Sequence, residues 1–176
     1  MSAGLSDTDN VNIIELPRFG ECSYLDSEVL VFPWGLPGFA HLRRFLALKV
    51  APADRFMWLQ NLDDLSVALP IGDPWLVFED YAPQLPLYAR AALALDETQE
   101  FAIQCVVVAA KDGEEFTMNL LAPIVINLET RIGRQVPLEN SNYSVRAPIP
   151  RLSPPAALAE DGSAPPPAAQ EEAIRG

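Results

Sequence analysis

Hydrophobic residues in this chain fall in short runs rich in β-branched and aromatic side chains, and Gly, Pro or Asp interrupts them every eight to twelve residues. Runs of that length and spacing are typical of an antiparallel β-barrel or β-sandwich. The expected fold class is therefore all-β (β-dominated): a small antiparallel β-barrel-like single domain with little helix. The pattern predicts strands at residues 11–16, 28–32, 44–50, 56–61, 66–71, 101–110, 115–120, 124–128 and 132–137.

Three further segments carry their own predictions. Residues 75–94 fit the helical and the strand period, so a short helix or an irregular excursion is expected there. The run 101–110 is apolar enough to predict a strand that is buried on both faces. Residues 111–114 follow it, and their Asp-Gly pair predicts a hairpin turn.

The run 117–128, T-M-N-L-L-A-P-I-V-I-N-L, is unusual because Pro123 lies in its middle and Asn119 and Asn127 interrupt its apolar residues. Proline lacks a backbone N–H, so the run cannot be one uninterrupted central strand. It predicts two short strands that bend at residues 122–123. Each asparagine either satisfies buried backbone groups or offers its amide to a partner at a sheet edge, and the structural role is favoured.

The composition is that of a globular protein for most of the chain and changes near its end. Hydrophobic residues make up 49% of the chain and charged residues 20%, which is typical of one folded domain. Residues 147–176 hold seven of the seventeen prolines and eight alanines, which bury little apolar surface. We therefore expect a barrel domain at 1–149 and a disordered, acidic, Pro/Ala-rich tail at 150–176.

Several features predict a cytoplasmic protein. Residues 1–10 are polar and acidic, unlike a signal peptide. No apolar run approaches the roughly 20 residues that cross a bilayer, so no membrane contact is expected. Cys22 and Cys105 lie far apart in the sequence and predict two reduced thiols rather than a disulfide framework.

Acidic residues dominate the middle of the chain. The net charge is −12, and residues 54–115 hold twelve acids against three bases, a net charge of −9. Such a surface repels nucleic acid and attracts basic proteins, although an acidic surface also serves solubility alone. No direct contact with nucleic acid is therefore expected. The candidate acidic partner surface consists of Asp63, Asp64, Asp112, Glu114 and Glu115.

No constellation of residues predicts catalysis, a cofactor or a metal site. His41 is the single histidine, and no Ser or Cys in a signature context accompanies it. Neither cysteine has a second ligand at metal-binding spacing, and the glycines of the loop 35–38 lack the context of a phosphate site. The acidic pairs lie beside predicted turns, where carboxylates are normally solvated. We therefore expect a protein that is not an enzyme.

Several motifs follow one another in a particular order. They are W-G-L-P-G-F at 34–39, R-R-F-L-A-L at 43–48, W-L-Q-N at 58–61, G-D-P at 72–74, D-Y at 80–81, M-N-L-L-A-P-I-V-I-N at 118–127, G-R-Q-V at 133–136 and S-N-Y-S-V-R at 141–146. This order and spacing resembles the family of the flagellar assembly factor FliW, over residues 29–149. The chain departs from the family pattern at Asn61, where serine is usual, and at 69–71, where a more aromatic strand is usual.

The resemblance implies a non-enzymatic, cytoplasmic protein without a cofactor and with two protein partners. One is flagellin, held before its export, and the other is CsrA, a small dimeric RNA-binding protein that represses flagellin translation. In such a family free FliW takes CsrA from its message, whereas abundant flagellin occupies FliW and restores repression. A dedicated cytoplasmic flagellin chaperone without a translational role is the alternative. The family-motif positions, structural or partner-binding, are Gly35, Leu36, Pro37, Gly38, Phe39, Gln60, Asp73, Pro74, Tyr81, Asn119, Pro123, Asn127, Gln135 and Tyr143.

Overall fold

The structure, a computed structural model, describes residues 10–51, 55–109 and 115–150. Strands dominate these ranges, which confirms the predicted fold class. The strands are β1 (Val11–Leu16), β2 (Gly20–Leu25), β3 (Leu30–Val31), β4 (Arg44–Leu48), β5 (Phe56–Asn61), β6 (Ala68–Gly72), β7 (Phe101–Ala109), β8 (Phe116–Met118), β9 (Ile124–Asn127), β10 (Gly133–Gln135) and β11 (Ala147–Ile149). The helices are α1 (Leu87–Ala92) and two 3-10 turns, Asp26–Glu28 and Pro74–Leu76.

One antiparallel sheet curls until its two edge strands approach each other. Its strands follow the order β3-β4-β5-β6-β7-β9-β10, while β8 pairs with β7 and β11 pairs with β8. A parallel bridge joins Val31, at the end of β3, to Ile132, just before β10. The Val31 N–H also donates to the Arg131 carbonyl at 2.9 Å. These contacts between the edges produce the barrel-like curl that the strand pattern predicted.

The hairpin β1–β2 forms a separate two-stranded sheet that covers one face of β4 and β5. Its inward residues Leu16 and Cys22 share a buried cluster with Leu46, Leu48 and Trp58. The alternate residues of β4 and β5 point into the curl and belong to a second cluster. Both faces of these two strands are therefore covered by apolar side chains.

The predicted strand 28–32 agrees with the structure to within two residues but is shortened to two, and the structure adds two strands to the prediction, β2 and β11. Only Leu30–Val31 belongs to the sheet, because a 3-10 turn precedes it, and the Glu28 carboxylate accepts the Leu25 N–H at 2.7 Å. β2 has few apolar residues, and β11 has Pro148 at its centre, so neither gives a strong strand signal. The other predicted strands agree with the structure to within two residues at either end.

The long strand β7 is buried on one face rather than on both, so the prediction of two buried faces is wrong. Ile103, Cys105 and Val107 alternate along the buried face. On the other face Val108 is 48% exposed, and Val106 is partly buried against the cluster inside the curl. The second face is therefore only partly covered within the described residues, since Val106 packs inside the curl whereas Val108 is exposed.

Two predictions about connections have different outcomes. The segment 75–94 contains α1 within an otherwise irregular path, as expected. β7 and β8 pair as antiparallel neighbours with Ala109 opposite Phe116, but the predicted turn at 111–114 lies outside the described residues. Residues 151–176 also lie outside them, so the domain boundary and the disordered tail stay predictions.

β8 and β9 pair one after the other with the same edge of β7. Met118 lies opposite Val107, and Ile124 lies opposite Gln104. Met118 and Ile124 are six positions apart in the chain, whereas their partners on β7, Val107 and Gln104, are only three apart. Three extra residues are therefore accommodated in a break between β8 and β9. This confirms the predicted pair of short strands that bend at residues 122–123.

The two asparagines satisfy backbone groups at the break and beyond it. Asn119 is half-buried, and its side-chain oxygen accepts the Ala122 N–H at 3.0 Å. Asn127 is fully buried, and its Nδ2 donates to the Leu93 carbonyl at 2.9 Å. The Asn127 Oδ1 accepts the N–H groups of residues 129–130 at 2.9 and 3.1 Å. Both side chains thus make the backbone contacts that the favoured structural role requires.

The loop between β3 and β4 contains a tight turn. Leu36 and Phe39 pair as an antiparallel bridge, and Leu36 is buried inside the curl. Gly35 and Gly38 have φ angles of 64° and 82°, in the left-handed region that favours glycine. A Cβ on Gly35 would lie 2.6 Å from the Ala40 backbone, whereas a Cβ on Gly38 would meet nothing within 4 Å. The two glycines are therefore required for different reasons.

Asn127→Ala is expected to lower the free energy of unfolding by about 2–4 kcal/mol, because buried backbone groups lose their partners. Asn119→Ala is the matched control: it removes the hydrogen bond to the Ala122 N–H from a half-buried site and is expected to cost about 1 kcal/mol. Urea unfolding followed by tryptophan fluorescence measures both values. An equal decrease in the free energy of unfolding for the two variants would show that Asn127 contributes no more to stability than Asn119.

Gly35→Ala is expected to destabilise the fold by about 3 kcal/mol or more, because backbone strain adds to a collision with the Ala40 backbone. Gly38→Ala adds a methyl group to open space and is expected to cost only the strain, about 1 kcal/mol. Thermal unfolding of both variants checks the difference. An equal fall in the unfolding temperature of the two variants would show that movement of the loop relieves the collision.

Candidate functional site

Two motif side chains hold the break between β8 and β9 from neighbouring segments. The Tyr81 hydroxyl donates to the Leu120 carbonyl at 2.8 Å, and the Gln135 Nε2 donates to the Ala122 carbonyl at 2.9 Å. The Pro123 carbonyl accepts the backbone N–H after Gln135 at 2.8 Å. Backbone groups that the break removes from β-pairing therefore find partners from distant parts of the chain.

Tyr143 supports Tyr81 from the other side. The two rings pack edge to face with centroids 4.8 Å apart. The Tyr143 hydroxyl also accepts the Ala82 N–H at 3.0 Å, which fixes the chain that follows Tyr81. The D-Y and S-N-Y-S-V-R motifs are thus brought together around one buried phenol.

Asp73 and Pro74 begin the 3-10 turn that leads toward Tyr81. The Asp73 carboxylate accepts the Trp75 N–H at 2.9 Å and caps the turn, and Pro74 is buried at its first position. The Trp75 indole then donates to the Tyr81 carbonyl at 2.7 Å. The G-D-P motif therefore positions the same tyrosine that holds the break.

Gln60 shapes the turn that follows β5. It is fully buried, and its Nε2 donates to the carbonyls of Asn61, Leu65 and Val67 at 2.8, 3.1 and 3.2 Å. Asn61, where the family usually has serine, donates to the Arg44 carbonyl and accepts N–H groups of the turn. The amide at this position therefore fits the turn by making its hydrogen bonds.

Most motif positions are thus occupied with contacts inside the molecule. Among the fourteen positions, Pro37 and Gly38 are exposed, at the tip of the turn between β3 and β4. The remaining positions are buried or half-buried. A partner that binds the motif residues directly would therefore contact Pro37 and Gly38 rather than the buried motif positions.

The buried thiols and phenol are poor candidates for chemistry. Burial raises the pKa of the Cys105 thiol to about 12, and burial also raises the pKa of Tyr81. The pKa of Cys22 is raised mainly by burial and further by Glu28. All three groups are protonated at neutral pH, so neither cysteine supplies a thiolate nucleophile.

The structure places Asp63, Asp64 and Glu115 at the same end of the sheet. Asp63 and Asp64 lie in the turn between β5 and β6, and Glu115 is exposed just before β8. The antiparallel pairings put that turn beside the last residues of β7 and the first residues of β8. Asp112 and Glu114 lie outside the described residues. The predicted acidic surface is therefore described only in part.

Asp63 is less available to a partner than its sequence position suggested. Its carboxylate accepts the N–H groups of Arg43 and Arg44 at 2.8 and 2.9 Å and forms an ion pair with the Arg44 side chain at 2.8 Å. Burial alone would raise the pKa of Asp63, but these bonds outweigh it and lower the pKa. The carboxylate stays ionised, yet Arg44 offsets its charge.

Asp64 keeps its charge in a more exposed place. Its carboxylate accepts the Ser66 hydroxyl at 2.6 Å and the Ser66 N–H at 3.0 Å, and these bonds lower the pKa of Asp64. Arg43 is also exposed at this end of the sheet, so the local field is a mixture of both signs. This end is less acidic than the run of acids in the sequence indicated.

A second concentration of acids lies in the connection from β6 to β7, which sequence reasoning did not single out. Residues 73–100 hold six acids and one arginine, a net charge of −5. Five of the acids are exposed: Glu79, Asp80, Asp96, Glu97 and Glu100. The count over residues 54–115 already included these acids, but the candidate acidic partner surface predicted from the sequence did not. We call residues 73–100 the acidic connection.

The described residues contain no group of three or more His, Cys, Asp and Glu side chains placed to hold a metal ion. Within the same ranges no helix has the length and apolar character needed to cross a bilayer. His41 is exposed in the loop before β4.

Comparison with known proteins places these motifs in one family. The family model described as FliW protein matches residues 13–149, which adds most of the β1–β2 hairpin to the span that the motifs cover. The chain is 33% identical to the flagellar assembly factor FliW of Thermosipho africanus over 137 residues, covering 77% of this chain and 94% of that protein. It is 39% identical to that of Pseudothermotoga lettingae over 130 residues, covering 73% and 83%.

The fold agrees with the sequence comparison. A crystal structure of the flagellar assembly factor FliW superposes with a TM-score of 0.73 at 27% identity, covering 78% of this chain and 96% of that one. The motif order, the family match and the shared fold all lead to the same assignment. The chain belongs to the FliW family.

Proposed function

We propose that this protein is a non-enzymatic flagellar assembly factor that binds flagellin and antagonises the translational repressor CsrA in the cytoplasm. Its relatives are named flagellar assembly factors. The resemblance of its motifs to that family implies the two partners. By exchanging them, the protein would couple the synthesis of flagellin to the level of flagellin.

The observation that carries the CsrA part of this proposal is the charge of the acidic connection. It has a net charge of −5 over residues 73–100, and Arg90 is its single base. An RNA-binding protein presents basic surface to the phosphate backbone, so this connection attracts CsrA and repels the RNA that competes for it. The end of the sheet near Asp63 is a weaker attractor, because Arg43 and Arg44 lie beside its acids.

The scaffold roles of the motif residues support a binding protein rather than an enzyme. The Tyr81 hydroxyl, the Gln135 Nε2 and both side-chain polar atoms of Asn127 form hydrogen bonds with backbone groups. Burial keeps the Cys105 thiol protonated at neutral pH, since its pKa lies near 12. These side chains hold the curled sheet in shape, and the exposed surface is left for partners.

Partner exchange needs a thermodynamic coupling between the two binding events. If flagellin and CsrA bind this protein in a mutually exclusive way, each partner weakens the apparent affinity for the other. When flagellin is scarce, the free protein captures CsrA and translation proceeds. When flagellin accumulates, it occupies the protein by mass action and CsrA returns to its message.

Adding this protein to a complex of CsrA with flagellin messenger RNA is expected to release the RNA. Adding flagellin afterwards is expected to restore the complex, because flagellin withdraws the protein from CsrA. A gel-shift titration with labelled RNA measures both steps. A dedicated flagellin chaperone would bind flagellin and leave the RNA complex intact, which would refute the CsrA half of the proposal. Absence of flagellin binding would refute the other half.

Charge reversal in the acidic connection is expected to weaken binding to CsrA more than charge reversal at the sheet end. Glu97→Lys with Glu100→Lys changes the charge by the same amount as Asp64→Lys with Glu115→Lys, so the second pair is the matched control. The first pair is expected to reduce association about tenfold and the second about threefold at low salt. Calorimetry or surface plasmon resonance measures the dissociation constants.

Salt provides the independent check on this electrostatic explanation. The difference between the two variant pairs is expected to shrink as ionic strength rises, because exposed charges are screened over roughly 10 Å at 0.1 M salt. Binding of the unaltered protein to CsrA is expected to weaken over the same range. A dissociation constant that does not change with salt would overturn the role of the acidic connection.

A further inference from the structure

Arg134 lies between two aromatic rings on the surface of the protein. Its guanidinium carbon is 4.6 Å from the centroid of the Trp34 ring and 5.1 Å from the centroid of the Tyr88 ring. The guanidinium group is planar and stacks well on aromatic faces, so two rings restrict it more than one would. We call these three residues the Trp–Arg–Tyr surface.

The three side chains come from separate parts of the fold. Trp34 belongs to the loop between β3 and β4, Tyr88 belongs to α1, and Arg134 belongs to β10. The bridge between Val31 and Ile132 brings the first and last of these segments together at the closure of the curl. The surface therefore exists only when the sheet is closed.

The hydrogen-bond donors of Arg134 are unused within the described part of the chain. Its side chain makes the two ring contacts but no hydrogen bond or ion pair with any described residue. Arg44 provides the contrast, because its guanidinium is paired with the Asp63 carboxylate at 2.8 Å. A guanidinium fork that is held in place and lacks a counter-ion is prepared to accept a carboxylate from outside.

Exposed apolar surface surrounds this fork. Trp34 is 46% exposed, Tyr88 is 43% exposed, and Leu87, which precedes Tyr88 on α1, is 84% exposed. Trp, Tyr and Arg are the residues most enriched among those that dominate the energy of protein interfaces. The apolar surroundings favour a partner that brings a carboxylate together with apolar side chains.

The charge of the whole protein decides between the anions that would fit the fork. A phosphate backbone brings many negative charges, and a protein of net charge −12 repels it on approach. A single carboxylate within an apolar segment suffers far less repulsion, and its geometry matches the guanidinium fork with two parallel hydrogen bonds. The chemistry therefore selects a protein segment rather than a nucleic acid.

We propose that Trp34, Arg134 and Tyr88 form a docking surface for a segment of a partner protein in which an Asp or Glu side chain is flanked by apolar residues. The carboxylate pairs with the Arg134 guanidinium, and the flanking side chains cover Trp34, Tyr88 and Leu87. Because the two rings already hold the guanidinium, little side-chain entropy is lost when the pair forms. This binding site goes beyond the proposed exchange of flagellin and CsrA.

The probe that tests this surface is the blocked peptide acetyl-Leu-Glu-Leu-amide, with acetyl-Leu-Gln-Leu-amide as its uncharged control. Titration into the ¹⁵N-labelled full chain is followed through the indole resonance of Trp34, assigned by its loss in Trp34→Leu. The Glu peptide is expected to shift this resonance with a dissociation constant about fivefold lower than that of the Gln peptide. Arg134→Gln is expected to abolish the difference between the two peptides.

Two further variants separate the docking surface from other causes. Arg146→Gln removes an exposed arginine that makes no ring contact in the described chain and is expected to leave the fivefold preference unchanged. Tyr88→Leu keeps the Arg134 charge but removes one ring, and is expected to weaken binding of the Glu peptide about threefold. Tyr88 is exposed on a short helix, so this variant tests the surface even if Arg134→Gln disturbs the fold.

Four results would overturn the proposal. They are equal affinity for the Glu and Gln peptides, a preference lost equally in Arg146→Gln and Arg134→Gln, absence of a saturable shift at Trp34 with either peptide, and an equal shift with inorganic phosphate. The third result would mean that the three side chains only form an internal contact that joins the loop, α1 and β10. The fourth would identify a general anion site open to nucleic acid.

Discussion

Two short strands must pair with one edge of β7, and the backbone between them must find other partners. Pro123 prevents a continuous strand, and three extra residues are accommodated between β8 and β9. Every backbone polar group that leaves the ladder there would cost free energy if it were buried without a partner. Tyr81, Gln135 and Asn119 supply such partners, so the rest of the fold is arranged to bring these side chains to the break.

This requirement explains why the family motifs are scattered along the chain. The G-D-P motif caps a turn that positions Tyr81, Tyr143 packs against Tyr81, and Gln135 reaches the break from β10. Motif residues of this kind stabilise the fold. Two of the exposed surfaces are the acidic connection at 73–100 and the Trp–Arg–Tyr surface, which overlap at Tyr88.

The break between β8 and β9 could be predicted from the residue types in the run 117–128. A proline inside an apolar run indicates a broken strand, and asparagine beside it indicates backbone hydrogen bonding, so the bend at 122–123 and the role of Asn127 followed from residue types. The burial of the two faces of β7 could not be predicted from residue types. β7 is as apolar as a strand with two covered faces, yet Val108 is 48% exposed, because the covering layer depends on how the sheet curls. The strand β2 was missed because its apolar residues are too few to show a pattern.

The sequence by itself determined the class of fold, the broken strand and the family, because these depend on periodicity, proline geometry and motif order. Only the tertiary structure decided which charges and side chains act together. It paired Asp63 with Arg44 across 19 positions of the chain and set Arg134 between Trp34 and Tyr88. Charge counting along the chain treats neighbours in sequence as neighbours in space, whereas electrostatic and stacking interactions depend on distance after folding.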